Sequence, residues 1–186
     1  MAEPLLVIVS GLPCTGKTTL GLRLASDFQL PFVNKDGIKE LLFDRLGWKD
    51  RDWSKKLGLA SYDLLYYFLE GQLQAGRSSI VESNFKADVD TPKFLALKLK
   101  YPYLPFQIVC QTAGQVLVER FRRRSESGIR HPGHVDGMNY AEFHAVLRKG
   151  EYVPLPLGGE LLTVDTTDFD AMDYAGITAA LAPAFA

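Results

Sequence analysis

Apolar residues along this chain follow two distinct periods. Five short apolar runs, at residues 5–9, 31–34, 79–85, 105–110 and 161–165, are typical of buried strands. Between the runs, apolar residues recur every three or four positions, as Leu20, Leu24 and Phe28 do after the first run, which is typical of one face of a helix. Strands that alternate with helices predict an α/β fold, with a five-stranded parallel sheet and helices on both faces.

The longest helical segment is predicted to begin at Ser54, with Leu57 and Leu64 on its buried face. A polar loop is predicted just before it, and this loop carries both tryptophans of the chain, Trp48 and Trp53. Aromatic side chains often line pockets for small molecules. We therefore expect Trp48 and Trp53 to wall a substrate pocket.

Composition narrows the class of protein. The chain has 186 residues, 47% hydrophobic and 23% charged, which is typical of one globular domain over residues 1–186. The net charge of −1 argues modestly against a general affinity for nucleic acid. We expect no membrane partner, because no apolar stretch approaches the roughly 18 residues that span a bilayer. Cys14 and Cys110 lack metal-ligand spacing, and with no secretory signal they predict a reduced, cytoplasmic location.

The turn after the first strand carries the clearest chemical signal. Residues 11–19 read Gly-Leu-Pro-Cys-Thr-Gly-Lys-Thr-Thr, and they lie between a predicted strand and a predicted helix, as in a phosphate-binding loop. Gly11 and Gly16 would let backbone N–H groups approach phosphate oxygens closely. Lys17 would reach the β- and γ-phosphates of ATP, and the Thr18 hydroxyl would bind Mg²⁺. The predicted nucleotide-binding residues of the loop are Gly11, Pro13, Cys14, Thr15, Gly16, Lys17, Thr18 and Thr19.

Asp36 follows the second strand and is the candidate general base. A carboxylate that accepts the proton of an acceptor hydroxyl also orients that hydroxyl for in-line attack on a phosphoryl group. The alternative is that Asp36 only caps the helix that follows it, since Asp is common at helix starts.

Glu82 and Asn84 come at the end of the third strand. Ligands bind at the carboxyl ends of strands in open parallel sheets, so both are candidates for substrate contact. Glu82 is also a candidate metal ligand through a Mg²⁺-bound water. The alternative for Glu82 is a solvated acid at the end of a strand.

A cluster of arginines predicts a mobile lid at about residues 120–138. Guanidinium groups match phosphate oxygens bidentately, and helical spacing favours Arg120, Arg123 or Arg124, and Arg130 as the inward ones. Arg124 and Arg130 are the candidate catalytic arginines, while Arg120 and Arg123 are assigned to the nucleotide. The alternative is an ordinary solvated helix face. His131 is expected, with the histidine three positions later, to structure the loop or contact substrate.

The motifs at residues 11–19, 35–36, 81–85, 119–124 and 130–134 resemble those of small bacterial P-loop kinases, often described as AAA-type ATP-binding proteins. Relatives of these kinases include polynucleotide kinase, chloramphenicol phosphotransferase, gluconate kinase and zeta toxins. The resemblance implies a P-loop kinase-like fold, ATP and Mg²⁺, Asp36 as the base and an arginine lid. It also implies that Thr166, after the fifth strand, lies near the adenine. Glu82 stands where several relatives have aspartate, which leaves its metal role open.

The favoured function is therefore an ATP-dependent phosphotransferase that acts on a hydroxyl of a small-molecule acceptor. One alternative is a 5′-hydroxyl nucleic-acid kinase, which the mild acidity of the chain disfavours. Another is a nucleotide-binding switch or slow ATPase that acts on a protein partner. The acceptor and the oligomeric state stay open.

Overall fold

The computed structural model describes residues 3–135 and 140–185. The strands are β1 (Leu5–Ser10), β2 (Phe32–Asn34), β3 (Ser79–Glu82), β4 (Leu104–Gln111) and β5 (Glu160–Asp165). The α-helices are α1 (Lys17–Phe28), α2 (Lys35–Leu46), α3 (Arg51–Gln74), α4 (Ala87–Lys100), α5 (Gly114–Glu126), α6 (Tyr140–Lys149) and α7 (Tyr174–Leu181). Two 3₁₀ turns span Pro132–His134 and Ala182–Phe185.

The five strands form one parallel sheet in the order β2-β3-β1-β4-β5. The central strand β1 is buried along its whole length because helices cover both faces of the sheet. Val9 pairs with Glu82, and Glu82 in turn pairs with Asn34. The register therefore brings the ends of β1, β2 and β3 to one edge. The predicted α/β fold with a five-stranded parallel sheet is confirmed.

Alternate residues of β1 supply two separate cores. Val7 and Val9 pack with α1 and α7, whereas Leu6 and Ile8 pack with α3 and α4 on the other face. Successive side chains of a strand point to opposite faces, so the apolar run of β1 serves both layers. A third cluster joins the phosphate loop to α5 and α6 through Leu12.

Helix α3 begins earlier and faces another way than the sequence predicted. Asp50 caps it, since its carboxylate accepts the backbone N–H of Trp53 at 2.8 Å. Trp53 therefore lies in the first helical turn and not in a polar loop. Leu65 is fully buried, while the predicted core residue Leu64 is 45% exposed. The buried stripe of α3 runs through Leu57 and Leu65. The prediction was correct for Leu57, but it placed the next part of the stripe one position too early, at Leu64.

Helix α5 and the 3₁₀ turn at Pro132–His134 form the described part of the predicted lid. Residues 136–138 of that lid lie outside the described residues. Across the described ranges, no helix is long and apolar enough to cross a membrane.

Candidate active site

The loop between β1 and α1 has the backbone of a phosphate cradle. Gly11, Cys14 and Gly16 have φ values of 138°, 69° and 85°, all in the left-handed range. A Cβ on Gly11 would collide with the carbonyl of Cys110, and one on Gly16 would lie 2.5 Å from the Phe169 ring. Both positions require glycine, which leaves the loop N–H groups accessible to an anion at the start of α1.

The side chains at the start of α1 converge on Glu82. The Thr18 hydroxyl donates to Glu82 Oε2 at 2.7 Å, and the Lys17 ammonium lies 4.0 Å from Glu82 Oε1. Lys17 also donates to the Leu12 carbonyl at 2.8 Å. Burial raises the pKa of Glu82, although Lys17 and the Thr18 hydroxyl oppose that shift.

These residues fit a nucleotide phosphate with Mg²⁺. The cradle presents N–H groups and Lys17 to phosphate oxygens, while Thr18 and Glu82 offer the oxygen atoms that Mg²⁺ prefers. Within the described residues, no group of three or more His, Cys, Asp or Glu side chains could hold a metal. Mg²⁺ in nucleotide sites usually keeps several waters and takes one or two protein ligands beside phosphate oxygens.

Asp36 lies in the first turn of α2 but does not cap it. The cap is Asn34, whose side-chain oxygen accepts the Gly37 N–H. The Asp36 carboxylate instead accepts hydrogen bonds from Lys35 at 3.1 Å and from Arg130 at 2.7 Å. The interpretation of Asp36 as the helix cap is wrong, because its carboxylate is directed to cationic groups in the cleft.

The charge state of Asp36 follows from these partners. Burial alone would raise its pKa, but Lys35 and Arg130 together hold the pKa well below its usual range. Asp36 is therefore a carboxylate at neutral and mildly acidic pH.

Arg130 and His134 attach the lid to α2. The Arg130 guanidinium donates to His134 Nδ1 at 3.0 Å, and His134 Nε2 lies 2.8 Å from Glu40 Oε1. A guanidinium can only donate, so Nδ1 accepts and Nε2 carries the proton given to Glu40. Burial and Arg130 lower the pKa of His134 to about 2, consistent with a neutral imidazole. His131 contacts α2 as well, at 3.2 Å from Asp44 Oδ1.

Of the other lid arginines, Arg120 makes hydrogen bonds within the fold and Arg123 is exposed to solvent. Arg120 donates to the carbonyls of Thr166 and Thr167, both at 3.0 Å, and so joins α5 to the loop after β5. Arg123 has a 75% exposed side chain and pairs with Glu119 at 2.7 Å. The structure therefore places Arg123 on a solvated helix face, whereas Arg120, like Arg124 and Arg130, lines the cleft.

Comparison with known proteins places this site in a family. A family model described as "AAA domain" matches residues 6–149. The chain belongs to this AAA-domain family. A solved structure from Chloroflexus aurantiacus J-10-fl, provisionally described as a kinase, is 45% identical over 98% of each chain with a TM-score of 0.93. The predicted resemblance to P-loop kinases is confirmed at the level of family and fold.

More distant solved structures share the fold of this AAA domain. A sugar kinase from Janibacter sp. HTCC2649 is 17% identical over 100% of this chain and 99% of that chain, with a TM-score of 0.59. A gluconokinase from Sinorhizobium meliloti 1021 is 16% identical over 90% of this chain and 86% of that chain, with a TM-score of 0.52. A search of curated proteins found no match.

Six predicted site residues of the AAA domain are not among the residues that line its cleft: Gly11, Thr15, Arg123, Thr166, Trp48 and Trp53. Thr166 is fully buried, and its hydroxyl contacts the Gln111 carbonyl at 3.0 Å, so it braces the loop after β5. Trp48 and Trp53 are not among the lining residues. The Trp53 indole donates instead to the Gly47 carbonyl at 2.8 Å, which ties the first turn of α3 to the residue after α2.

The cleft has a volume of about 740 Å³, and its lining includes cations that the sequence did not single out. Glu82 and Asn84 line the cleft, as predicted. Helices α2 and α3 add further cations to the lining. The cations of the lining that were not predicted are Lys39 on α2, Arg51 and Lys55 on α3, and Lys86 before α4. The four-residue spacing of Lys35 and Lys39, and of Arg51 and Lys55, is a sequence signal that could have placed each pair on one helix face.

Proposed function

We propose that this AAA domain transfers the γ-phosphate of ATP to a hydroxyl group of a small molecule, with Mg²⁺ bound. One observation carries the proposal. The Asp36 carboxylate, held ionised by Lys35 and Arg130, lines the same cleft as Lys17 and Thr18 of the phosphate loop. A phosphate cradle that faces an oriented carboxylate is the arrangement that phosphoryl transfer to a hydroxyl needs.

The phosphate loop supplies binding and charge stabilisation. Its N–H groups and the start of α1 bind the β- and γ-phosphate oxygens. Lys17, which donates to the Leu12 carbonyl in this structure, is within reach of the same region and would donate to a phosphate oxygen instead. Arg124 and Arg130 line the cleft from the lid side and would stabilise charge on the transferring phosphoryl group.

Asp36 orients the acceptor. Each carboxylate oxygen has lone pairs left after its bond to Lys35 or Arg130, so either can accept a hydrogen bond from the acceptor hydroxyl. A carboxylate with a depressed pKa is a weak base, so its main contribution is the direction of the attacking oxygen. This suits a reaction in which positioning and electrostatics dominate.

Thr18 and Glu82 are the residues that would hold Mg²⁺, Thr18 directly and Glu82 through its hydrogen bond to Thr18 or a water. Bound Mg²⁺ would neutralise charge on the β- and γ-phosphate oxygens. The description of the Chloroflexus protein as a kinase supports the proposed class, and the sugar kinase and gluconokinase support the fold alone.

The test is incubation of the purified protein with γ-labelled ATP, Mg²⁺ and a metabolite extract. A labelled small molecule that is absent with the Lys17→Ala variant supports the proposal. Labelled 5′-hydroxyl oligonucleotides would favour a nucleic-acid kinase. Release of phosphate without any labelled acceptor would favour a switch or slow ATPase, and it would overturn phosphotransfer to a small molecule.

A further inference from the structure

Two ammonium groups converge on an open point above Gly58 of α3. A Cβ placed on Gly58 would lie 3.7 Å from both Cε and Nζ of Lys39 and 4.0 Å from Nζ of Lys35. Gly58, Lys35 and Lys39 all line the cleft. The missing side chain at position 58 therefore leaves a small space that two cations border.

Lys39 is a buried cation with a neutral partner. The side chain belongs to a residue only 5% exposed, and its ammonium donates to the Ser54 hydroxyl at 2.9 Å. Within the described ranges Lys39 makes no ion pair. A buried charge is costly unless an opposite charge compensates it. An anion above Gly58 would supply that compensation.

The described lining of the cleft is rich in cations. Among the described residues that line it, nine are Lys or Arg and two are Asp or Glu, in a chain whose net charge is −1. The phosphate loop and lid account for only part of this excess. The wall formed by α2 and α3 contributes the lysines Lys35, Lys39 and Lys55.

We propose that Lys35, Lys39 and Gly58 form a subsite for an anionic group of the acceptor, a carboxylate or a phosphate. Lys35 also donates to Asp36 at 3.1 Å, so an anion in the subsite lies beside the carboxylate that orients the hydroxyl. The acceptor is then a small hydroxylated anion and not a neutral sugar or alcohol. The assignment of this anion to the acceptor rests on the proposed kinase function, but the subsite itself does not.

The subsite is tested first by calorimetric titration with malonate and with inorganic phosphate in a Lys17→Ala background, which weakens anion binding at the phosphate loop. Gly58→Ala fills the space, and its new methyl group meets Lys39 at ordinary van der Waals distance, so the fold is preserved. Gly71→Ala, on the same helix with nothing within 4 Å of its new methyl group, is the matched control.

We expect the Lys17→Ala protein to bind at least one of the two anions, and Gly58→Ala to weaken that binding ten-fold or more. Gly71→Ala should leave it unchanged. Equal affinity in the three proteins, or no binding to the Lys17→Ala protein, would overturn the subsite. This result does not depend on phosphotransfer.

A second arm assigns the anion to the acceptor. Transfer from labelled ATP is compared among a sugar, the corresponding aldonate and the corresponding sugar phosphate, with a 5′-hydroxyl oligonucleotide alongside. We expect transfer to the aldonate or to the sugar phosphate, with KM raised ten-fold or more by Gly58→Ala. Preference for the neutral sugar or the oligonucleotide would overturn the acceptor class while kinase activity stands. Anion binding without transfer to any acceptor would leave the subsite standing and count against the kinase function.

Discussion

Arg130 donates a hydrogen bond of 2.7 Å to the carboxylate of Asp36, which lies 94 positions earlier in the chain. The lid and the candidate base are therefore joined by one ion pair. Lys35 holds the other carboxylate oxygen at 3.1 Å. Since both partners are cations, Asp36 is fixed in direction and in charge, and any change to it should alter orientation of the acceptor more than binding of the nucleotide.

Asp36→Asn should lower kcat for phosphotransfer about 100-fold or more, the size of effect expected when a reacting group loses its orientation. The amide keeps the size of the side chain but loses the negative charge that orients the hydroxyl. The affinity for ATP, measured by titration with a fluorescent ATP analogue, should change little. Asp63→Asn, an exposed acid on α3, is the control. Unchanged turnover in Asp36→Asn would remove Asp36 from the mechanism.

The phosphate loop and the sheet could be predicted from the sequence because both depend on local pattern. The loop needs glycine at fixed positions between a strand and a helix, and Gly11 and Gly16 meet that need through their own backbone. Helix caps were harder to assign. Asn34 and Asp36 are both good caps by composition, and only the geometry shows that Asn34 takes the role and leaves Asp36 free for the cleft.

The remaining errors concern which way a helix faces. Leu64 and Leu65 are adjacent, and either gives a regular apolar stripe, yet only Leu65 meets the sheet. Arg123 and Arg124 are likewise adjacent, and the pairing of Arg123 with Glu119 at 2.7 Å accompanies its position in solvent. The contact between Lys39 and Ser54 of α3 depends on how α2 and α3 pack against each other, and a local sequence pattern does not predict that packing.

Gly133→Ala should separate the lid from α2. A methyl group at position 133 would lie 2.6 Å from two atoms of the Phe43 ring, and that ring is only 1% exposed and cannot readily move. Loss of docking would break the Arg130 contact with Asp36, so we expect kcat to fall roughly 10-fold or more with a smaller effect on ATP affinity.

The effect of Gly133→Ala can be checked with a compensating second substitution and with tryptophan fluorescence. Phe43→Leu in the Gly133→Ala background makes room for the methyl group and should restore part of kcat. Trp48 is edge-on to His131 at 6.5 Å between ring centroids, so tryptophan fluorescence should change when the lid separates. Wild-type kcat and fluorescence in Gly133→Ala would show that docking of this turn is not needed.

Glu82→Gln should weaken the binding of Mg²⁺ without weakening the binding of the metal-free nucleotide. The amide oxygen can still accept the Thr18 hydroxyl, but the negative charge near the metal position is lost. We expect the Mg²⁺ concentration for half-maximal transfer to rise about 10-fold, as for other groups that orient metal ligands. Nucleotide affinity in EDTA should stay equal or increase, because a negative charge near the phosphates is removed. Glu151→Gln is the exposed control; an unchanged Mg²⁺ requirement would contradict the metal role.

The pH dependence of acceptor use should follow Lys39. Burial and then Lys35 lower its pKa to about 8, with Asp36 opposing and with Arg51 and Arg130 adding to the shift. Above that pH the ammonium is lost, so kcat/KM for an anionic acceptor should fall as pH rises through about 8. Lys39→Arg keeps its charge, and its profile should stay flat over the same range. A fall of equal size in both proteins would assign the titration to another group.

The same pKa shift predicts how stability changes with pH. The folded protein releases the Lys39 proton near pH 8, whereas the unfolded chain holds it until about 10.4. The unfolded state therefore binds more protons in this window, and the contribution of Lys39 to the free energy of unfolding rises with pH. Denaturant unfolding at pH 7.5 and at about pH 10 should show wild type gaining stability relative to Lys39→Met. A constant difference between the two proteins would mean that Lys39 titrates normally and that its burial imposes no electrostatic cost for a bound anion to relieve.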